Sequence, residues 1–328
     1  LLGQGFAGLA NTQEGYALPD PSTRLAFPAD HGAHTAFRIE WWYVTANLTG
    51  GDGQDYGIQW TLFRNALAPT GQDPDQAWMG HAAVSAPDGH LFAERLARGG
   101  TGQAGVTRAP FRAFIDEWVM EGETPSKIRL TAQGSDFAYD LSLETDQPFV
   151  PQGAAGFSVK SEAGQASHYY SQPFYRVSGT LHFPDHDVAV TGHGWLDREW
   201  SSAPLAEDQT GWDWISLHLD TGEKLMGYRL RNTSGAAYTV GTWIAANGAP
   251  DPLEPGQLTM TPWETVAVAG RDVPIGWRAT LPDRGLDIHL DAIYPDSWMP
   301  TLVPYWEGPV RIEGSHPGRG YLEMSGYE

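Results

Sequence analysis

The sequence predicts an all-β protein built from two antiparallel barrels or sandwiches in tandem, and three observations carry that prediction. Apolar and polar residues trade places with a period of two along most segments, and no long stretch has helical periodicity. Gly (39) and Pro (24) are abundant among the 328 residues, which favours many short strands joined by turns. A hairpin rich in tryptophan and carboxylates also recurs about half a chain apart, which suggests one fold used twice.

Leu1 to Pro28 is expected to be irregular, because Pro19, Pro21 and Pro28 interrupt any helix. The first hairpin is FRIEWWYVTANL, a turn at Gly50–Gly53, and YGIQWTLFR ending at Arg64. Alternation puts Arg38, Glu40, Trp42, Val44, Ala46 and Leu48 on one face and Ile39, Trp41, Tyr43 and Thr45 on the other. WMGHAAVSA and HLFAERLAR flank Pro87-Asp88-Gly89, a second hairpin signal. FRAFIDEWVM, IRLTAQ and FAYDLSLE add further candidate strands, the last two around Gly134-Ser135. Residues 148–172 are rich in small residues without a clean period and read as a crossover or linker, with a short helix left open.

The second series begins with FYRVSGTLHF and VAVTGHGWLD and leads into WLDREWS and GWDWISLHLDTGEKLMGYRLR, the latter turning at Thr221-Gly222. Arg198, Glu199, Trp200 and Trp214 answer Arg38, Glu40, Trp41 and Trp42 of the first hairpin. Strands follow in AYTVGTWIAANG, QLTMTPWETVAV, IGWRATLP, LDIHLDAIYP, YWEGPVRIEG and GYLEMSGYE. The expected division is a first barrel over residues 1–160, including the irregular lead-in, and a second over residues 161–328.

Twenty basic residues stand against 40 acidic ones, a net charge of −20. Nucleic acid and anionic lipid surfaces are therefore poor partners, since both are held mainly by Lys and Arg. Neutral or apolar ligands remain. The absence of cysteine removes disulfides, thiol nucleophiles and cysteine-based metal sites. No apolar run approaches the ~18 residues of a membrane span. The opening LLGQGFAGLA reads equally as the stub of a removed export signal or as an ordinary apolar lead-in.

FPADHGAH, FRIEWWYVTANL, YGIQWTLFR, WLDREWSS, GWDWISLHL, PYWEGPVRIEG and GYLEMSGY together resemble the lipocalin-like family that contains carotenoid 1,2-hydratases and AttH-like proteins. The resemblance spans nearly the whole chain. It implies two lipocalin-like β-barrels, an apolar ligand, and export to the periplasm or cell envelope, with envelope transport partners for some members. It also implies cofactor-free chemistry, since hydratase members add water to the terminal double bond of an acyclic carotenoid. Those enzymes pair aromatic residues with a His and an Asp around the second-barrel motif. Here Asp213 lies between Trp212 and Trp214 with no adjoining His, so the AttH-like branch is the closer match.

Hydrating an alkene, or cyclising a polyene, needs a donor strong enough to make a carbocation. A carboxylic acid serves only if burial keeps it protonated. The cation then needs electron-rich ring faces that will not capture it. Asp197 and Asp213 are the candidate donors, and Trp214 and Tyr228 the candidate cation stabilisers. Alternation sets Trp212, Trp214, Ser216 and His218 on one face and Asp213 on the other. Trp42, Trp60, Trp195, Glu199, Trp200, Trp212, His218, Tyr305 and Trp306 are expected to bind the ligand, an isoprenoid or lipid-like molecule held within a barrel.

Each candidate has a plainer reading. Arg38 with Glu40, and Arg198 with Glu199, are expected to form ion pairs that close each barrel, since residues repeated in both halves point to architecture. Asp197 and Asp213 have no evident mate in the first motif, which favours them as catalytic. His31, His34 and Asp30, and also His182, His186 and Asp187, have metal-like spacings but sit beside Pro or Gly outside any H-E-x-x-H motif, so no metal is expected. No G-x-S-x-G elbow accompanies the Ser and His of GQASHYYSQPF, and the glycine-rich stretches read as turns. The function expected is a hydratase, isomerase or cyclase, set against a non-catalytic carrier of the cell envelope. A module binding partners through an interdomain groove is the third alternative.

Overall fold

The computed structural model describes residues 14–203 and 205–327, so the LLGQGFAGLA lead-in lies outside the described residues. The architecture is nearly all β. The first sheet comprises β1 (Ile39–Gly50), β2 (Asp55–Ala66), β3 (Gln76–Ala86), β4 (Gly89–Arg98), β5 (Ala104–Arg108), β6 (Phe111–Ile115), β7 (Trp118–Thr124), β8 (Lys127–Gln133), β9 (Ala138–Glu144), β10 (Val150–Pro151), β11 (Phe157–Val159), β12 (Ala166–His182) and β13 (Asp187–Ser201). The second comprises β14 (Gln209–Leu219), β15 (Lys224–Asn232), β16 (Ala237–Ile244), β17 (Pro250–Pro252), β18 (Thr259–Val268), β19 (Arg271–Leu281), β20 (Leu286–Ala292), β21 (Trp298–Met299), β22 (Tyr305–Gly314) and β23 (Gly318–Ser325). Each curls into a barrel or half-barrel, and every strand pair is antiparallel.

The chain leaves the first sheet between Ser201 and Gln209, not near residue 160. β12 and β13, expected to open the second barrel, belong to the first: β13 pairs with β1 from Ile39↔Ser201 to Gly50↔Val190. WLDREWS and GWDWISLHL are therefore neighbours in sequence but lie in different sheets. The stretch 148–172 forms β10, β11 and the start of β12, with no helix. Its period was hidden because residues 166–173 are buried on both faces, which removes polar alternation.

The interiors of both barrels are filled. Trp42, Val44, Ala46 and Leu48 of β1 pack with Ile58, Trp60 and Leu62 of β2 and with Trp118 inside the first. Trp277, Leu290, Trp306 and Leu322 do the same in the second. A third cluster, with Tyr43, Tyr169, Trp195, Trp214 and Tyr228, lies where the two sheets face each other. The expected faces of β1 hold, since residues at 42, 44, 46 and 48 point into the barrel and Tyr43 points to the other sheet.

The sheets meet closely. Asn47 Nδ2 donates to the Gly320 carbonyl at 2.8 Å, and a Cβ on Gly57 would lie 2.5 Å from Tyr321 Oη and 2.8 Å from Pro309. Gly57→Val is therefore expected to cost about 1–3 kcal/mol by overpacking this seam. Denaturant unfolding would read the loss as a lower midpoint at an unchanged slope.

Candidate active site between the two sheets

A cavity of about 220 Å³ opens between the sheets, not inside either barrel. The first sheet contributes Trp41 and Tyr43 from β1, Asp197 and Glu199 from β13 and Tyr169 from β12. The second contributes Trp212, Trp214, Tyr228 and Glu323. Lys160, His81, Leu205 and Tyr305 help complete the lining. On β13 alternation sends Leu196 into the first barrel's core and Trp195 into the layer between sheets, the side that Asp197 and Glu199 share.

Asp197 stands opposite Tyr43 on β1 and Ser171 on β12. Its Oδ1 accepts a hydrogen bond from the Ser171 hydroxyl, while Oδ2 has no partner in hydrogen-bonding geometry although Trp195 and Tyr169 lie beside it. Burial pushes this carboxyl up to about 7, against the opposing pull of Ser171. Glu323 lines the same cavity from the second sheet, accepting from Trp212 Nε1 at 2.6 Å, and burial raises it too to about 7. Behind it Glu307, which stands opposite Glu323 in the strand register, accepts from the Tyr43 hydroxyl. Burial and the neighbouring Glu323 hold Glu307 well above the usual carboxylate range. Two buried acids raised toward neutrality thus line a cavity rich in aromatic rings.

The cations near the cavity are already engaged. Lys160 Nζ lies 2.8 Å from Glu199 and 4.1 Å from the Tyr228 ring centroid. Burial disfavours its charge, but Glu199 more than compensates and keeps it above its ordinary value. Tyr228 shares a hydrogen bond with Ser158 at 2.9 Å. Trp214 donates to Tyr169 at 3.3 Å and meets Tyr43 edge-on at 5.3 Å.

Of the expected catalytic residues, Asp197, Trp214 and Tyr228 come together here, and Asp213 does not line the cavity. The Asp213 carboxylate is held by Arg231, by Arg229 at 2.9 Å and by Tyr327 at 2.9 Å. It has a mate after all: Asp213↔Arg229 on β14–β15 repeats Glu40↔Arg64 on β1–β2. Asp213 is thus an architectural carboxylate, and Asp197 remains.

Glu199, Trp212 and Tyr305 line the cavity as expected of ligand contacts, whereas Trp42, Trp60, Trp195, Trp200, His218 and Trp306 do not. Trp42, Trp60 and Trp306 fill barrel cores, because the strand faces that carry them turn away from the seam. Trp200 stacks on His34 at 3.8 Å. Trp195 and His218 pack edge-to-face at 5.7 Å beside the cavity. The expected Arg198–Glu199 pair is re-sorted, since adjacent residues on a strand point to opposite faces, and Glu40 is held by other arginines than Arg38. Glu40 takes Arg64 at 2.9 Å and Arg198 at 2.7 Å, and Glu199 takes Lys160.

Tyr43, Tyr169 and Glu323 were missed. An acid set among apolar residues in YWEGPV and YLEMSG was the available signal, but only strand pairing shows that both face the same seam. Among the described residues no group of three or more His, Cys, Asp or Glu is placed to hold a metal. His31 hydrogen-bonds Tyr170 at 2.7 Å, His34 bridges Asp30 and Glu40, and His182 pairs with Asp187 at 2.7 Å.

The AttH-like family profile matches residues 18–327. The chain belongs to the AttH-like family. A crystallised AttH from Nitrosomonas europaea is 35% identical, with a TM-score of 0.86 over 95% of this chain and 99% of that one. Kievitone hydratase from Nectria haematococca shares the fold of this AttH-like chain at 17% identity, with a TM-score of 0.70 over 97% of this chain and 98% of that one. No curated protein matches the sequence. No helix among the described residues is long and apolar enough to cross a membrane.

Proposed function

We propose that this AttH-like protein binds an unsaturated isoprenoid or lipid-like molecule between its sheets and adds water across a carbon–carbon double bond without a cofactor. The observation that carries the reading is Asp197, a buried carboxyl raised to about 7 with one oxygen unpartnered at the wall of an aromatic cavity. Asp197 donates its proton to one alkene carbon. The Trp214, Tyr43 and Tyr169 rings face the resulting cation, and Glu323 takes the proton of the water that attacks it. Both acids then return to their starting states by exchange of one proton. The fold is one on which a protein named a hydratase is built, which sets the chemistry to try first but carries no residue role across.

The test is incubation with an acyclic polyene in ¹⁸O-labelled water. A labelled alcohol is the expected product. Binding without product would overturn the enzymatic reading in favour of a non-catalytic carrier, and neither binding nor product would overturn both. The same proposal places the protein in the cell envelope with transport partners there, which fractionation of the native host would check.

A further inference from the structure

The residue row that contains Asp197 runs across six strands of the first sheet to its β4 edge. Ser171, Asp197, Tyr43, Thr61, His81 and Glu94 are successive register partners from β12 through β13, β1, β2 and β3 to β4, the strand at the sheet's edge. At the outer end the Glu94 side chain is 25% exposed, and at the inner end the acids are buried. His81 is fully buried, with its Nε2 3.1 Å from Glu94 Oε1 and its Nδ1 2.9 Å from the Tyr305 hydroxyl. Its ring stacks on that of Tyr305 at 5.6 Å.

We propose that Glu94, His81 and Tyr305 form a proton relay joining bulk water to the buried Glu307/Glu323 carboxyl pair. The hydrogen bonds have one consistent direction. Glu94, held as a carboxylate first by His81, accepts only, so His81 donates from Nε2 and its Nδ1 accepts from Tyr305. Gln59 Nε2 donates to the Tyr305 oxygen at 3.3 Å. Glu307 accepts from Tyr43 on Oε1. Its Oε2 has no partner in hydrogen-bonding geometry, and Tyr305 is the other side chain that interacts with this carboxyl. Outward transfer moves the Glu307 proton to Tyr305, the Tyr305 proton to His81 Nδ1 and the His81 Nε2 proton to Glu94, which releases it to water. The reverse sequence refills Glu307, and Tyr43 links Glu307 to Glu323. Two steps lack a formed hydrogen bond, Tyr305 to Glu307 and Tyr43 to Glu323, and movement of the two tyrosine hydroxyls must close them.

The relay's use rests on the hydratase reading, but its existence does not, and infrared spectroscopy tests it without substrate. Glu307→Gln assigns the protonated Glu307 carbonyl band in the parent, and mixing with D₂O then reads how fast that band shifts. Exchange is expected to slow at least about a hundredfold in His81→Phe and in Glu94→Gln, the low end of what a positioned proton-transfer group contributes. His90→Phe removes another histidine, half-buried, that contacts Ser85 and Met299 and lies off the path, and it should exchange like the parent. Three results would overturn the relay: no band lost in Glu307→Gln, parent-rate exchange in folded Glu94→Gln, or equal slowing in His90→Phe. Absent turnover with the relay intact would sink the hydratase reading alone.

Discussion

Replacing Asp197 with Asn is expected to cut turnover about 10²–10⁴-fold, the range for losing a positioned proton donor, while leaving the folded protein more stable. The two effects have one cause. An aspartate whose folded pKa is raised holds its proton more tightly when folded, so its ionisation works against the fold. Stability is greatest below the unfolded value of about 3.9 and falls as pH climbs to about 7, the folded value. The variant should therefore gain up to about 4 kcal/mol on the parent above pH 7, with the difference closing near pH 4. Asn keeps an oxygen for the Ser171 hydroxyl, so the site's geometry is preserved. Unfolding by denaturant at pH 4, 6 and 8 alongside the polyene assay reads both. A destabilised Asp197→Asn protein would show that the carboxylate is structural. Asp213→Asn is the contrasting case: it weakens the hold on Arg229 and Arg231 and should cost stability with activity per folded molecule kept.

Glu40→Ala is expected to cost about 3–5 kcal/mol, a large share of the ~5–15 kcal/mol that holds a typical domain folded. Glu40 is fully buried between Arg64 and Arg198, themselves 0% and 1% exposed, and His34 Nδ1 lies 2.7 Å from it. Truncation leaves two desolvated guanidinium groups without their carboxylate. Burial alone would raise Glu40, but Arg198, His34 and Arg64 outweigh it and hold the carboxyl well below its ordinary range. Its contribution is thus present above the unfolded glutamate value of about 4.3 and lost as pH falls toward the lower folded value. Acid unfolding of the parent should steepen there and that of Glu40→Gln should flatten. The exposed Arg129–Asp140 pair is the comparison: Asp140→Ala should cost under about 1 kcal/mol, read by the same unfolding curves.

The Glu40 cluster also shows how far the sequence could be read. That Glu40 belongs to a repeated architectural carboxylate was visible in the two tryptophan-rich hairpins, but its repeat is Asp213, not Glu199. Matching similar letters aligned REW with RIEW, although β13 is the strand that pairs with β1, not its counterpart. Arg198 reaches Glu40 from 158 residues away, along the diagonal between β13 and β1. No local pattern encodes that separation.

By itself the sequence determined the β class, the turn at Thr221-Gly222, where Gly222 adopts φ +101°, and which residues of β1 share a face. Those features follow from a side-chain period of two and from the backbone freedom of glycine, both local. The tertiary structure alone decided which sheet each strand joined, that tryptophans pack the barrel interiors, and that the cavity opens between the sheets. It alone brought Asp197 and Glu323 to one cavity, because burial is a property of the packed pair of sheets, and burial turns these ordinary carboxylates into acids that keep a proton near neutral pH.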